Sequence, residues 1–266
     1  MIVAPQVMLL MLVILVVVAM TWLHHARVIA GWLPERRPLP ALDALRGALG
    51  RGAETGRSLH ISPGSGQIGA GNGTRGSTAE TIAGLMVAGR VAEEAALNGA
   101  PILISSGDAI SHLALRGAVR QAYQMAGQTQ DYDSGRVQLL AHQDALAYAA
   151  GVTTLYGRDQ IEASMLIGSF GQEFLLIGED GAQRNLPQVA GSSSSTALPL
   201  MMLSTPSALI GEEIYAAESY LSSDPAAQSR LMTQDGLRTV VIILLIGGFI
   251  YGLIQPSLGL PPLAGL

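Results

Sequence analysis

The residues best suited to chemistry lie in one stretch, Ser62-Pro-Gly-Ser-Gly-Gln-Ile-Gly-Ala-Gly-Asn-Gly-Thr74. Gly64, Gly66 and Gly69 spell GxGxxG directly after a predicted strand, with Ser65 between the first two and Gly71 beyond the third. Glycines in such a turn let backbone N–H groups approach a phosphate, and a following helix start favours negative charge. The fit to the dinucleotide-binding fingerprint is incomplete. The third glycine precedes the predicted helix start near Thr78, and the expected acid falls inside that helix, at Glu93 or Glu94, not at a strand end. A flexible ligand-covering loop, a true dinucleotide site and a structural or interface loop all remain open.

Three other loops follow predicted strands. Ser105-Ser106-Gly107-Asp108 offers Ser106 and Asp108, although Asp108 also reads as the N-cap of the next helix. Gly168-Ser169-Phe170-Gly171 offers Ser169, and the run from Gly191 through Ser195 offers Ser192 or reads as a flexible connector. All four loops would meet at the carboxyl edge of a parallel sheet, where open α/β domains bind ligands. Gly64, Ser65, Gly66, Gly69, Gly71, Ser106, Asp108, Ser169 and Ser192 are therefore the candidate ligand-binding residues.

Catalytic signatures are missing. All 15 basic residues are arginine, so a Schiff-base lysine and a GxxxxGK[ST] phosphate loop are excluded. With no cysteine, thiolate chemistry, disulfides and zinc–cysteine sites are excluded as well. No GxSxG elbow occurs, and the five histidines, at 24, 25, 60, 112 and 142, show no metal-binding spacing. His60 reads as a core or edge histidine within its strand. Ser77-Thr-Ala-Glu80 reads as a capping box, and Asp131 and Asp133 as solvated turn residues. No catalytic residue, metal ligand or cofactor is identified.

The elements that must position these loops alternate in type. Expected strands are Ser58–Ser62, Pro101–Ser105, Val137–Ala141, Ser164–Ser169, Gln188–Ala190 and Leu200–Ser204. Expected helices are Thr78–Asn98, Ala109–Ala126, Asp144–Tyr156 and Pro206–Leu221, and Glu173–Gly181 is ambiguous. Apolar strands separated by helices imply a Rossmann-like parallel sheet covered on both faces. Residues 41–55 place Leu42, Leu45 and Leu49 at helical spacing, reading as an amphipathic helix on the domain or on the bilayer.

The chain is 49% hydrophobic and 13% charged, and the apolarity is concentrated at its ends. Pro5–Leu23 is long enough to cross a membrane as a helix and reads as a retained anchor in preference to a cleaved signal. Thr239–Ile254 is shorter, consistent with a tilted or partly unwound span, and carries Gly248 and Gly252 at GxxxG spacing. The expected division is 1–26 anchor, 27–57 basic linker and amphipathic helix, 58–229 Rossmann-like domain and 230–266 second transmembrane segment and tail. Residues 24–57 carry a net charge of +3, 58–229 carry −9 and 230–238 carry +1. The positive-inside rule then puts the central domain in the cytoplasm and both termini outside, as a two-span inner-membrane protein. The basic linker is expected beside anionic headgroups, and the acidic domain argues against nucleic acid.

The order of R-P-L-P-A-L (37–42), the glycine-rich loop, S-T-A-E-T-I-A-G-L (77–85), L-I-G-S-F-G-Q-E (166–173) and L-I-G-E-E (209–213) between two spans resembles an uncharacterised bacterial membrane family, a domain of unknown function. The resemblance implies the architecture and no activity. Two functions are carried forward. One is a non-catalytic, membrane-anchored subunit that scaffolds a homo-oligomer or other membrane subunits, suggested by the small face of Ala83, Gly84, Ala88, Gly89 and Ala92. The other is a nucleotide- or dinucleotide-type ligand binder or enzyme using the 62–77 loop.

Overall fold

The computed structural model of this chain describes residues 5–34, 36–69 and 78–258. Along it run α1 (Pro5–Ile29), α2 (Pro40–Thr55), β1 (Ser58–Gly64), α3 (Thr78–Asn98), β2 (Ile102–Ser106), α4 (Ala109–Met125), β3 (Val137–Leu139) and α5 (Ala145–Arg158). Then follow β4 (Ile161–Ser169), α6 (Phe174–Gln183), β5 (Gln188–Ser192), α7 (Ala197–Ser204), β6 (Ala208–Ile210), α8 (Glu213–Leu221) and α9 (Pro225–Leu258). The chain divides into two units, one of residues 1–35 with 223–266 and one of residues 36–222.

In the 36–222 unit six parallel strands form one sheet in the order β3-β2-β1-β4-β5-β6. The chain winds outward from β1 to β3, then returns to the other side of β1 with β4. The order therefore reverses between β1 and β4, where loops leaving the carboxyl ends diverge to opposite faces and open a crevice. Alternate strand residues feed two cores. Leu59, Ile61, Ile104, Met165 and Val189 pack under α2, α3, α4 and α8. Leu166 and Ala190 pack under α5, α6 and α7 with Phe174 and Met201.

Several elements differ from their sequence-based expectation. Leu200–Ser204 lies in helix α7, not a strand, because its leucines and methionines suit a helix and a short apolar run carries no periodicity to separate the two states. The helix expected over Pro206–Leu221 is instead edge strand β6 followed by α8, divided at Gly211 with φ +59°. The ambiguous Glu173–Gly181 segment is helical, as α6. Helix α2 lies on the domain: Leu42, Leu45 and Leu49 are buried in the larger core. Its arginines pair with the domain's own acids, Arg51 with Glu162 at 2.8 Å and Arg46 with Glu94 at 4.0 Å, while Arg37 just before it meets Glu213 at 2.5 Å. These ion pairs leave the arginine side chains 46–64% exposed.

The other unit pairs α1 with α9. The Thr233 hydroxyl donates to the Ser229 carbonyl, so His24 Nδ1–H donates to Thr233 Oγ1 at 3.0 Å. Gly236 admits Met20, whose Cε lies 2.7 Å from where a Cβ would stand. Both helices are long and apolar enough to cross a membrane, with mean hydropathies of 2.6 over Gln6–Ile29 and 2.0 over Pro225–Leu253. The second is a continuous helix of 34 residues, so the partly unwound crossing expected after Thr239 is not present among the described residues. Gly248 and Gly252 face open space.

Candidate functional site

The loop after β1 lies directly on the end of β4. Gly64, at φ +96°, leaves no room for a side chain: a Cβ there would stand 2.1 Å from the Ser169 carbonyl oxygen. A Cβ on Gly66 would stand 2.3 Å from Ser169 Cβ, and the Gly66 N–H donates to the Ser169 carbonyl at 3.2 Å. Gly107, after β2, closes the stack by donating its N–H to the Gly64 carbonyl at 3.2 Å. Two of the three motif glycines therefore serve contact between neighbouring strand ends. The close helix–strand approach is made by Gly84 on α3, where a Cβ would stand 2.3 Å from the Ile167 carbonyl oxygen. Gly69 donates its N–H to Thr78 Oγ1 at 3.1 Å, and Gly71 lies outside the described residues.

Above this stack opens a cleft of about 570 Å³, lined among others by Ser65, Gly66, Ser169, Gly171, Ser194 and Thr196. That volume is within the range of ligand sites (roughly 300–1,000 Å³), and the position is the one where open α/β sheets bind ligands. Of the candidate residues, Ser65, Gly66 and Ser169 meet here. Gly64 underlies the cleft without lining it. Ser106 is fully buried at the end of β2, where its hydroxyl has no hydrogen-bond partner among the described residues. Asp108, 3% exposed, caps α4 by accepting from the Ser111 N–H at 3.0 Å and hydroxyl at 3.2 Å. Ser192 is buried and donates to Glu80 Oε1 at 3.1 Å.

The carboxylates are what sequence reasoning missed. Glu173, beginning α6 beside the cleft, accepts through Oε1 from the Ser65 hydroxyl at 2.6 Å and the Gly171 N–H at 2.9 Å. Asp144 caps α5, accepting from the Ala147 N–H at 3.0 Å, and also lines the cleft. Its neighbour Gln143 holds a left-handed backbone at φ +63°. Ser77, the other half of the capping box expected with Glu80, lies outside the described residues. Glu80 reaches across to β5, accepting from the Ser193 N–H at 2.7 Å and hydroxyl at 2.5 Å. The available signal was an acid soon after two of the glycine–serine loops, Glu80 and Glu173, and one before helix α5, Asp144.

Beneath the crevice, on the α5 side of the sheet, runs a buried polar chain. Tyr156 OH meets Ser164 Oγ at 2.6 Å, and Ser164 meets His60 Nδ1 at 2.8 Å. His60 Nε2 meets Ser105 Oγ at 2.8 Å. Tyr148 bonds Ser105 and Ser62, and Ser62 accepts the Gly64 N–H at 3.0 Å. Full burial pulls the His60 pKa down to about 3, so the ring is neutral and donates from one nitrogen while accepting at the other. Burial likewise pushes the Tyr148 hydroxyl up to about 12. This chain fixes the end of β1 from below and gives the histidine a structural place in the core. The small face proposed for assembly is also occupied from within: Ala88 and Ala92 are buried in the sheet-facing core and Gly89 opposes Ala118 of α4.

The chain belongs to the family described as Domain of unknown function (DUF6754), which matches residues 3–259. No curated protein and no solved structure matches it.

Proposed function

We propose that this family member is a non-catalytic, membrane-anchored binding subunit of a bacterial inner membrane. Its end helices span the bilayer with both termini outside, and its Rossmann-like domain stands in the cytoplasm with a small hydrophilic ligand in the crevice at the carboxyl edge. The observation that carries the reading is the cleft of about 570 Å³ at the β1/β4 reversal, lined by the hydroxyl residues Ser65, Ser169, Ser194 and Thr196 and the carboxylates Asp144 and Glu173. Its Ser65 hydroxyl donates to Glu173 Oε1 at 2.6 Å, but among the described residues that line the cleft no histidine stands beside that pair to relay its proton, which supports binding over turnover. The net charge of −9 over residues 58–229 argues against nucleic acid.

The test is the melting temperature of the full chain in nanodiscs with fractionated small-molecule cell extract. A fraction should stabilise the native chain and fail with Ser194→Trp, whose indole fills the cleft. No stabilising fraction, or equal stabilisation of the filled variant, would sink the reading.

A second reading, scaffolding of a membrane complex, is favoured by α9. Gly248 and Gly252 stand on an open face among exposed Leu244, Leu245 and Phe249, the surface a second apolar helix would use. Native mass spectrometry in mild detergent should show a homo-oligomer or bound subunits that Gly248→Leu disperses. A stable lone monomer of the native chain counts against it.

A further inference from the structure

We infer that the crevice takes a small hydrophilic organic cation, one bearing an ammonium group, and rejects phosphate-bearing ligands; this rests on the binding reading above. Among the described residues, which do not include 70–77 of the glycine-rich loop, donors that a phosphate would use are engaged by the protein's own carboxylates. Ser65 Oγ–H and Gly171 N–H both serve Glu173 Oε1, at 2.6 and 2.9 Å. At the next loop the Ser193 N–H and hydroxyl serve Glu80, at 2.7 and 2.5 Å. At the start of α5, where a helix end would attract an anion, Asp144 takes the Ala147 N–H at 3.0 Å. The crevice is an anion-binding framework filled from within.

Charge pairing points the same way. Elsewhere on the domain several carboxylates are matched with arginine, among them Glu162 with Arg51, Glu213 with Arg37, and Glu218 with Arg90. Glu173 and Asp144 have no cationic partner among the described residues, and no arginine is among the described residues that line the cleft. Among the described residues only Oε1 of Glu173 accepts hydrogen bonds, and Oε2 takes none. A ligand filling the cleft strips water from this carboxylate. An ammonium group replaces that lost hydration, a neutral group replaces it in part, and a phosphate adds repulsion. The surrounding hydroxyls of Ser65, Ser169, Ser194 and Thr196 suit a hydrophilic body on the ligand. A metal ion fits less well, since no group of three potential metal-ligating side chains occurs among the described residues.

The experiment uses the full chain in nanodiscs at mildly acidic pH, with three probes built on one ring: glucosamine, glucose and glucose 6-phosphate. Putrescine, ATP and magnesium chloride complete the set. Glucosamine and putrescine should raise the melting temperature, glucose less, and the phosphates not at all. Glu173→Gln, whose amide oxygen still accepts from Ser65 and Gly171, should weaken amine binding by about tenfold or more. Asp144→Asn, which keeps the helix cap, should weaken it by a smaller factor and serves if Glu173→Gln does not fold. Stabilisation by glucose 6-phosphate or ATP above glucosamine, or by magnesium alone, would overturn the cation class while leaving a binding site in place. Unchanged amine affinity in both variants would overturn it too. Silence of all the probes while an extract fraction still stabilises the chain overturns the class alone; silence of probes and extract together removes the site.

Discussion

A single histidine gives the domain a pH dependence. His60 is neutral in the folded chain, with its pKa lowered from 6.5 to about 3, whereas in the unfolded chain it titrates near its ordinary value. Below pH 6.5 the unfolded state takes up a proton that the folded state refuses, so stability falls as the pH drops toward about 3, at about 1.4 kcal/mol per unit for this group. Urea midpoints measured through that window should carry this slope, and His60→Leu should flatten it while lowering stability throughout; an unaltered slope would show that the ring is not the source. Gly84→Ala should cost about 1–3 kcal/mol in the same assay, because its methyl would meet the Ile167 carbonyl. An unchanged midpoint would show that α3 can move away without cost. The motif glycines teach a limit of reading sequence. Gly64 and Gly66 were legible as residues needing close approach, but the partner is Ser169, from the other half of the sheet. Nothing local distinguishes a glycine that admits a ligand from one that admits a neighbouring strand.

At the scale of elements, periodicity served well where burial was one-sided or complete over a long run. Helix α3 begins and ends as its pattern predicts, and β1 and β4 are strands where expected, β1 running on to Gly64 and β4 starting earlier, at Ile161. It failed over residues 200–210, where α7 and β6 are short and their apolar residues would suit either state. The crevice was legible as a convergence of loops, since strand-end loops in a parallel sheet must share one edge. Its carboxylates were not, because capping and ligand binding call for the same acid at the same place. For α2, the apolar face carries its attachment more than the ionic one. Leu45→Ala, at 1% exposed, should destabilise by about 2–5 kcal/mol. Arg51→Ala should cost less than about 1 kcal/mol, since that side chain is 50% exposed and its pair with Glu162 is screened by water. Thermal or urea unfolding of the two variants separates these contributions, and equal losses would contradict the ranking.

For the whole molecule, composition was the most informative level. Charge scarcity at both ends foretold the two apolar helices, and the clustered arginines supplied an orientation through their placement. Those arginines make ion pairs with the folded domain, Arg37 with Glu213 and Arg51 with Glu162. The cysteine-free background makes the orientation directly measurable. Gln6→Cys should react with a membrane-impermeant maleimide added to intact cells, and Gln121→Cys on α4 only after permeabilisation. The reverse labelling would invert the topology proposed for the chain.

The placement of β1 at the centre of the sheet also has a consequence for biosynthesis. Its neighbour β2 follows soon after it, but its other neighbour, β4, begins only at Ile161. Because chains are made from the amino end, α1 is synthesised first and β1 must wait through β2, β3 and three helices for its second partner. During that interval an apolar strand edge stands unpaired, and long-range parallel pairing is intrinsically slow. Ser169 ends that wait: its arrival pairs the second edge of β1 and seats the glycine loop in the same step, while the far wall of the cleft, Ser194 and Thr196, and strands β5 and β6 are still to follow.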